Sequence, residues 1–214
     1  MDLFESTLPD RTRQPLTRDA WLLPGFALEV DAAVLAAVGQ ITAAAPFRHL
    51  RTPGGLRMSV AMTNCGNLGW VSDGRGYRYE RCDPLSGNRW PPMPPVFAEL
   101  AGAAAAAGGF PGFVPDACLL NRYQPGARLT LHQDKDERDF GAPIVSVSLG
   151  LPAVFLFGGN ARCERQRRIP LRHGDVVVWG GAARLYHHGV LPVKDGYHDI
   201  VGAQRVNLTF RRAG

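Results

Sequence analysis

Downstream of Pro115 the chain reads as one short strand after another, with no helical period between them, and no other feature limits its fold so strongly. Strand-length apolar or alternating runs occupy 117–123, 128–132, 144–149, 153–157, 168–171, 175–179 and 206–211. Turn sequences such as Gln124-Pro125-Gly126 and His173-Gly174-Asp175 separate them. Many short strands without intervening helices indicate a sandwich or jelly roll. The expected class is α+β, mainly β.

Helical spacing appears only upstream. Val30, Val34, Val38 and Ile41 recur along an alanine-rich stretch, predicting an amphipathic helix over 31–45 that Pro46 stops. A second helix is expected over 96–107, ending at Gly108-Gly109. Between them, Thr52-Pro53-Gly54-Gly55, Asp73-Gly74-Arg75-Gly76 and Pro91-Pro92-Met93-Pro94-Pro95 punctuate short strand-like runs such as 57–62, as in a turn-rich, mobile cover. Residues 1–28 lack periodicity and read as an extended arm.

A length of 214 residues suffices for one domain with a real core, so any bound metal is expected to serve function rather than stability. The four cysteines form no C-x-x-C pair, which argues against a zinc ribbon or a disulfide framework and for reduced thiols in a cytoplasmic protein. The acidic start Met1-Asp2-Leu3-Phe4-Glu5 is unlike a secretory signal, and no apolar run is long enough to span a bilayer. A formal charge of +5, carried mostly by arginine, suits a polyanionic partner, although many soluble proteins are mildly basic.

Chemistry concentrates at Leu131-His132-Gln133-Asp134. Residues two apart on a strand point the same way, so His132 and Asp134 can aim at one ion. An isolated H-x-D is often only a hydrogen-bonded pair, so a third ligand is needed. His187 and His188 are adjacent, and strand alternation lets only one face inward; His188 is chosen because it opens the turn His188-Gly189 after a strand. Two imidazoles and one carboxylate make the facial triad of non-haem iron(II) oxygenases, which leaves coordination positions open.

The C-terminal strand alternates Arg205, Asn207, Thr209 and Arg211 with Val206, Leu208 and Phe210. Its polar side either faces water or faces an interior, where two guanidiniums demand anionic partners and a dicarboxylate would satisfy both. Asn121 and Tyr123 alternate in the same way on an apolar strand and can donate to such a ligand, or pair with each other in the core.

Together Asn121-Arg122-Tyr123, His132-Gln133-Asp134-Lys135-Asp136, His188-Gly189 and Arg205-Val206-Asn207-Leu208-Thr209-Phe210-Arg211 resemble the AlkB family of iron(II)- and 2-oxoglutarate-dependent nucleic-acid demethylases. The likeness extends into Met62-Thr63-Asn64-Cys65-Gly66, Leu68-Gly69-Trp70 and 174–181, covering most of the chain after residue 46. It implies a double-stranded β-helix core with His132, Asp134 and His188 holding iron(II). Arg205 would take the distal carboxylate of 2-oxoglutarate and Arg211 the metal-proximal one, assisted by Asn121, Tyr123 and Asn207. One departure is His187, where the family pattern leads one to expect tyrosine or phenylalanine.

The resemblance further implies oxidative demethylation of N1-methyladenine and N3-methylcytosine in single- or double-stranded DNA, and in RNA, consuming dioxygen and releasing formaldehyde, succinate and carbon dioxide. Met62, Trp70 and Tyr77 would contact the base and Asp136 would receive its exocyclic amine. Lys135 and Arg162 are candidates for phosphate contact. The expected organisation is an arm and helix (1–46), a nucleotide-recognition lid (47–95) and a supporting helix with the catalytic core (96–214), in a monomer that needs no membrane. The rival readings are a hydroxylase of a protein or small molecule and a non-catalytic nucleic-acid-binding module.

Overall fold

The computed structural model describes residues 11–214, so the first ten residues of the expected arm lie outside it. The chain runs β1 (Gln14–Thr17), β2 (Ala20–Leu23), α1 (Asp31–Ala44), β3 (Arg48–Arg51), β4 (Arg57–Gly66), β5 (Gly69–Asp73), β6 (Gly76–Glu80) and α2 (Pro95–Ala107). It continues through β7 (Ala117–Tyr123), β8 (Leu129–His132), β9 (Ile144–Gly150), β10 (Ala153–Phe157), β11 (Arg167–Leu171), β12 (Val176–Trp179), β13 (His188–Val190) and β14 (Arg205–Arg211). An eight-stranded sheet has the order β1-β2-β12-β9-β14-β7-β4-β3, a four-stranded sheet the order β11-β10-β13-β8, and β5 with β6 makes a third. This is the expected mainly β jelly roll, with two facing sheets and, among the described residues, no closed barrel.

Strand alternation sorts the large sheet into two cores. Cys118, Leu120, Val145, Val147, Val176, Val178, Leu208 and Phe210 face the helices, packing on Val34, Val38 and Ile41 of α1 and Phe97, Leu100 and Ala104 of α2. The alternate residues Leu119, Tyr123, Ile144, Val177 and Trp179 face Phe155, Phe157, Ile169, Leu171 and Val190 of the smaller sheet. Because β9 and β14 are covered on both faces, every residue in them is buried. The polar side of β14 therefore looks into the space between the sheets and not into water.

Several boundaries differ from expectation. The arm is not simply extended: β1 and β2 form a hairpin whose β2 pairs with β12 at the sheet edge. α1 stops at Ala44, and α2 starts at Pro95, where a fixed φ suits the first helical turn. The 47–95 segment donates β3 and β4 to the large sheet, with Ala61 to Gly66 in register against β7, and only β5–β6 stands apart. β13 begins at His188, where a strand had been expected to end.

Among the described residues no helix is long and apolar enough to cross a membrane. All four cysteines are free.

Candidate metal and cosubstrate centre

β8 ends at His132 and β13 begins at His188, and the two residues are direct partners across the antiparallel pair. Their rings lie 4.4 Å apart between centroids. The strands approach this closely because residue 189 is glycine: a Cβ there would sit 2.7 Å from the Leu129 carbonyl oxygen. Asp134 follows β8 and turns its carboxylate toward both rings, Oδ1 3.6 Å from His132 Nε2 and Oδ2 3.7 Å from His188 Nε2. One ligand atom from each residue falls within 4.8 Å of the others, a span that one metal ion can bridge.

Hydrogen bonds to backbone carbonyls orient both imidazoles. His132 Nδ1 lies 2.9 Å from the Thr130 carbonyl and His188 Nδ1 2.9 Å from that of Tyr186. Nδ1 must carry the proton to donate, which leaves the Nε2 lone pair free for a metal. Burial, and after it the nearby His132, pulls the His188 pKa down to about 3, so its ring is neutral and ready to ligate. Trp179 and Phe155 wall it in, at 5.0 and 5.9 Å between ring centroids. Burial acts to raise the Asp134 pKa, but the Arg211 guanidinium, aided by the two histidines, holds it below the usual carboxylate range.

Arg205 is 2% exposed and lies over the Tyr123 ring at 4.8 Å. One nitrogen donates to Ser148 Oγ at 3.0 Å, while Nε and Nη1 are buried with no hydrogen-bond partner. No carboxylate offsets this charge among the described residues, and burial pushes its pKa down. Asn121 Oδ1 also lacks a partner. The unmet Arg205 donors, on the face of β14 that looks between the sheets, together with the preformed His-Asp-His set, fit the demands of a dicarboxylate cosubstrate and an iron ion. Asn207 is engaged at both ends of its amide, donating to Ser146 Oγ and the Val147 carbonyl and accepting from Asn121 and Thr209.

Arg211 differs from Arg205 in having acidic partners. Its Nε and Nη2 donate to Asp134 Oδ2 at 3.0 and 2.6 Å, and Nε also lies 3.1 Å from Glu137. Glu137 in turn pairs with the buried Arg184 at 3.1 Å and accepts from Tyr79 Oη at 2.8 Å. Glu137, Arg184 and Tyr79 were not singled out from the sequence. Glu137 had a signal in its place three residues past Asp134; Arg184 had none.

Two hydrogen bonds tie the β5–β6 sheet to the segment after Asp134. Tyr79 reaches Glu137, and Trp70 Nε1 donates to Asp136 Oδ2 at 2.8 Å. Trp70 and the exposed Tyr77 stack at 5.5 Å with 13° between their planes. Met62 lies on β4 in register with Asn121, 2% exposed in the inter-sheet core, and so not on the small sheet with Trp70 and Tyr77. Lys135 and Arg162 are both exposed. The half-buried His187, just before β13, has its Nδ1 3.4 Å from the Gly159 carbonyl.

Imidazole and carboxylate donors in a facial set suit non-haem iron(II), and a partnerless guanidinium asks for an anionic cosubstrate. The class so defined is the 2-oxoglutarate-dependent iron(II) oxygenases. Residues 19–211 match the family model described as the 2OG-Fe(II) oxygenase superfamily. The chain is 53% identical over its whole length to the alpha-ketoglutarate-dependent dioxygenase AlkB of Salmonella typhimurium and 51% identical to that of Escherichia coli, spanning 98% of each. The solved structure of OsALKBH1 superposes with a TM-score of 0.84 at 28% identity, covering 94% of this chain and 100% of that one. The chain belongs to the AlkB family. It is thus a dioxygenase whose cofactor is iron(II) and whose cosubstrates are 2-oxoglutarate and dioxygen.

Proposed function

We propose that this enzyme removes methyl groups from N-alkylated bases, N1-methyladenine and N3-methylcytosine first among them, in DNA and in RNA. The observation that carries the reading is the stacked Trp70–Tyr77 pair, whose indole is tethered to Asp136 only two residues from the metal carboxylate. Relatives support it: nucleic acid is named for ALKBH1 of mouse and DNA N(6)-methyladenine for ALKBH1C of Arabidopsis thaliana.

His132, Asp134 and His188 would hold the iron. When bound, the iron with 2-oxoglutarate and dioxygen supplies the oxidation that converts an N-methyl group to hydroxymethyl, which leaves as formaldehyde. Arg205 anchors the distal carboxylate of 2-oxoglutarate through the donors that lack protein partners, with Tyr123 under its guanidinium. Arg211 takes the metal-proximal carboxylate, and Asn207 orients Asn121 toward the same ligand.

A base must leave its stack to reach the metal, at a cost of a few kcal/mol that is least in single strands or at damaged sites. Trp70 and Tyr77 cover the extruded ring and Met62 borders the pocket from within. Asp136 accepts its exocyclic amine. Both lesions are cationic, so the Asp136 carboxylate favours them over neutral bases. Lys135 and Arg162 contact phosphate, and residues 47–95 act as the recognition lid of a cytoplasmic, monomeric enzyme.

Methylated and unmethylated oligonucleotides, single- and double-stranded, DNA and RNA, are to be incubated with enzyme, iron(II) and 2-oxoglutarate while formaldehyde and succinate are measured. Formaldehyde from methylated strands alone is the expected result. Succinate formation that no methylated nucleic acid ever stimulates points instead to a protein or small-molecule hydroxylase.

A further inference from the structure

Behind the large sheet, on the face away from the metal, an open cleft of about 560 Å³ lies between α1 and the 198–204 loop. Its walls are mixed: Leu35 and Val38 of α1, with Phe47, Ile200 and Val201, supply apolar surface, and Thr42 and Gln204 supply polar groups. Ile200 stands at the rim, 63% exposed. Among the described residues one charged group lines this cleft, Arg122 of β7.

Arg122 is half-buried and its Nε is buried without a hydrogen-bond partner. No carboxylate among the described residues pairs with it; its contact is with the Phe47 ring, 4.9 Å below the guanidinium carbon. Stacking on an aromatic face leaves the in-plane donors of a guanidinium unmet, and those donors form a fork that matches the two oxygens of a carboxylate. Strand alternation separates this group from the cosubstrate site: Asn121 and Tyr123, on either side of it, face the space between the sheets, and Arg122 faces the helices.

We propose that the cleft is a second binding site, independent of 2-oxoglutarate, for a small carboxylate with an apolar body. The carboxylate sits on Arg122 and the hydrocarbon lies along Leu35, Val38 and Val201. A single cation suits a monoanion better than a phosphate, and the apolar side chains among the walls, Leu35, Val38, Phe47 and Val201, give the hydrocarbon of the ligand a surface to pack on. The volume is that of a small-molecule pocket rather than of a macromolecular interface.

The probe is 4-phenylbutyrate, compared with the uncharged 4-phenylbutanol, with binding followed by calorimetry and saturation-transfer NMR on the full chain in excess 2-oxoglutarate. The acid is expected to bind about tenfold more tightly than the alcohol, as a charge-assisted contact requires. Arg122→Met keeps the stem of the side chain, so it should abolish that preference while the alcohol binds as before. Gly39→Leu offers an independent variant: a Cβ at Gly39 of α1 meets nothing within 4 Å, so a larger side chain fits without strain and fills the cleft. It should remove binding of both probes. No binding of the acid, equal affinity for acid and alcohol, displacement by 2-oxoglutarate, or an Arg122→Met protein that retains the preference each overturns the proposal.

Discussion

Arg211 grips Asp134 through two nitrogens on the same carboxylate oxygen, Nε at 3.0 Å and Nη2 at 2.6 Å, with both side chains less than a tenth exposed. The residue expected to meet a cosubstrate carboxylate thus also holds the Asp134 carboxylate ionised and in place, with Glu137 as its second acid partner. Breaking such a buried pair from one side leaves uncompensated charge, which typically costs ~3–5 kcal/mol. Arg211→Met is expected to lose stability of that order in urea unfolding. A divalent metal should restore more of the loss than it adds to the wild type, because the ion replaces the missing positive charge; equal metal stabilisation of both proteins would count against this account.

Arg205 should behave in the opposite way. Its guanidinium is buried with no carboxylate partner, so Arg205→Met removes an unpaired charge and keeps most of the volume. The metal-free, cosubstrate-free variant is expected to unfold no earlier than wild type, yet to lose the thermal stabilisation that 2-oxoglutarate confers. The comparison is made by melting each protein with and without the cosubstrate. A variant that melts early but still responds fully to 2-oxoglutarate contradicts the assignment.

His132 and Asp134 are both expected to be indispensable for turnover, but their structural costs should differ. The His132 side chain is 34% exposed, whereas Asp134 is 9% exposed and neutralises Arg211. His132→Ala should therefore abolish succinate production with little change in melting temperature, while Asp134→Ala should abolish it and also lower stability. Circular dichroism melts alongside a succinate assay check this, and global unfolding of the His132 variant is the result that would exclude it.

Trp70 is held in two ways, by its stack on Tyr77 and by its hydrogen bond to Asp136. If the pair covers the substrate base, Trp70→Ala should weaken binding of a methylated single strand by ~1–3 kcal/mol, the usual worth of a stacked base. Asp136→Asn keeps the tether geometry but removes the charge, and should lower the preference for cationic over neutral lesions. Competition between N1-methyladenine and an uncharged N-methylated base reads this directly; an unchanged ratio removes Asp136 from the pocket.

At the base of the 47–95 segment the buried Asp83 carboxylate receives Arg48, the Leu85 amide at 3.0 Å and Ser86 Oγ at 3.0 Å. Burial acts to raise its pKa, but the Arg48 bond and then the Leu85 and Ser86 bonds outweigh it and hold the carboxyl below its ordinary value. A carboxyl depressed on folding stabilises above its unfolded pKa of about 3.9, and that contribution is lost as pH falls through the lower folded value. Arg48→Met should thus be less stable than wild type by a constant amount near neutrality. The gap should close below about pH 4, as measured by urea midpoints across pH; a gap that widens on acidification is the opposite of what the pair predicts.

Alternation along the strands could be read directly from the residues. Val206, Leu208 and Phe210 against Arg205, Asn207, Thr209 and Arg211 made one face apolar and the other polar, because a strand repeats every two residues wherever it lies; His132 and Asp134 do converge, but β8 ends at His132 and Asp134 turns in from the segment that follows. The choice of His188 over His187 was also legible, although for an incomplete reason: His188 starts β13 and pairs with His132, where a turn had been expected. The N-terminal hairpin was not legible, since Gln14–Leu23 carries little periodicity and gains its strand form from pairing with β12.

Local pattern thus settled the strand-rich class and both helices and put forward His132, Asp134 and His188 as candidate metal donors, since these depend on period and residue chemistry. Only the folded chain decided whether the polar face of β14 met water or an interior, because burial depends on a second sheet arriving from β8, β10, β11 and β13. It also decided that Arg211 is paired while Arg205 is not. Both are arginines on one face of one strand, and what distinguishes them is Asp134 and Glu137, brought to one end of that strand from more than seventy residues away by contacts that no local pattern encodes.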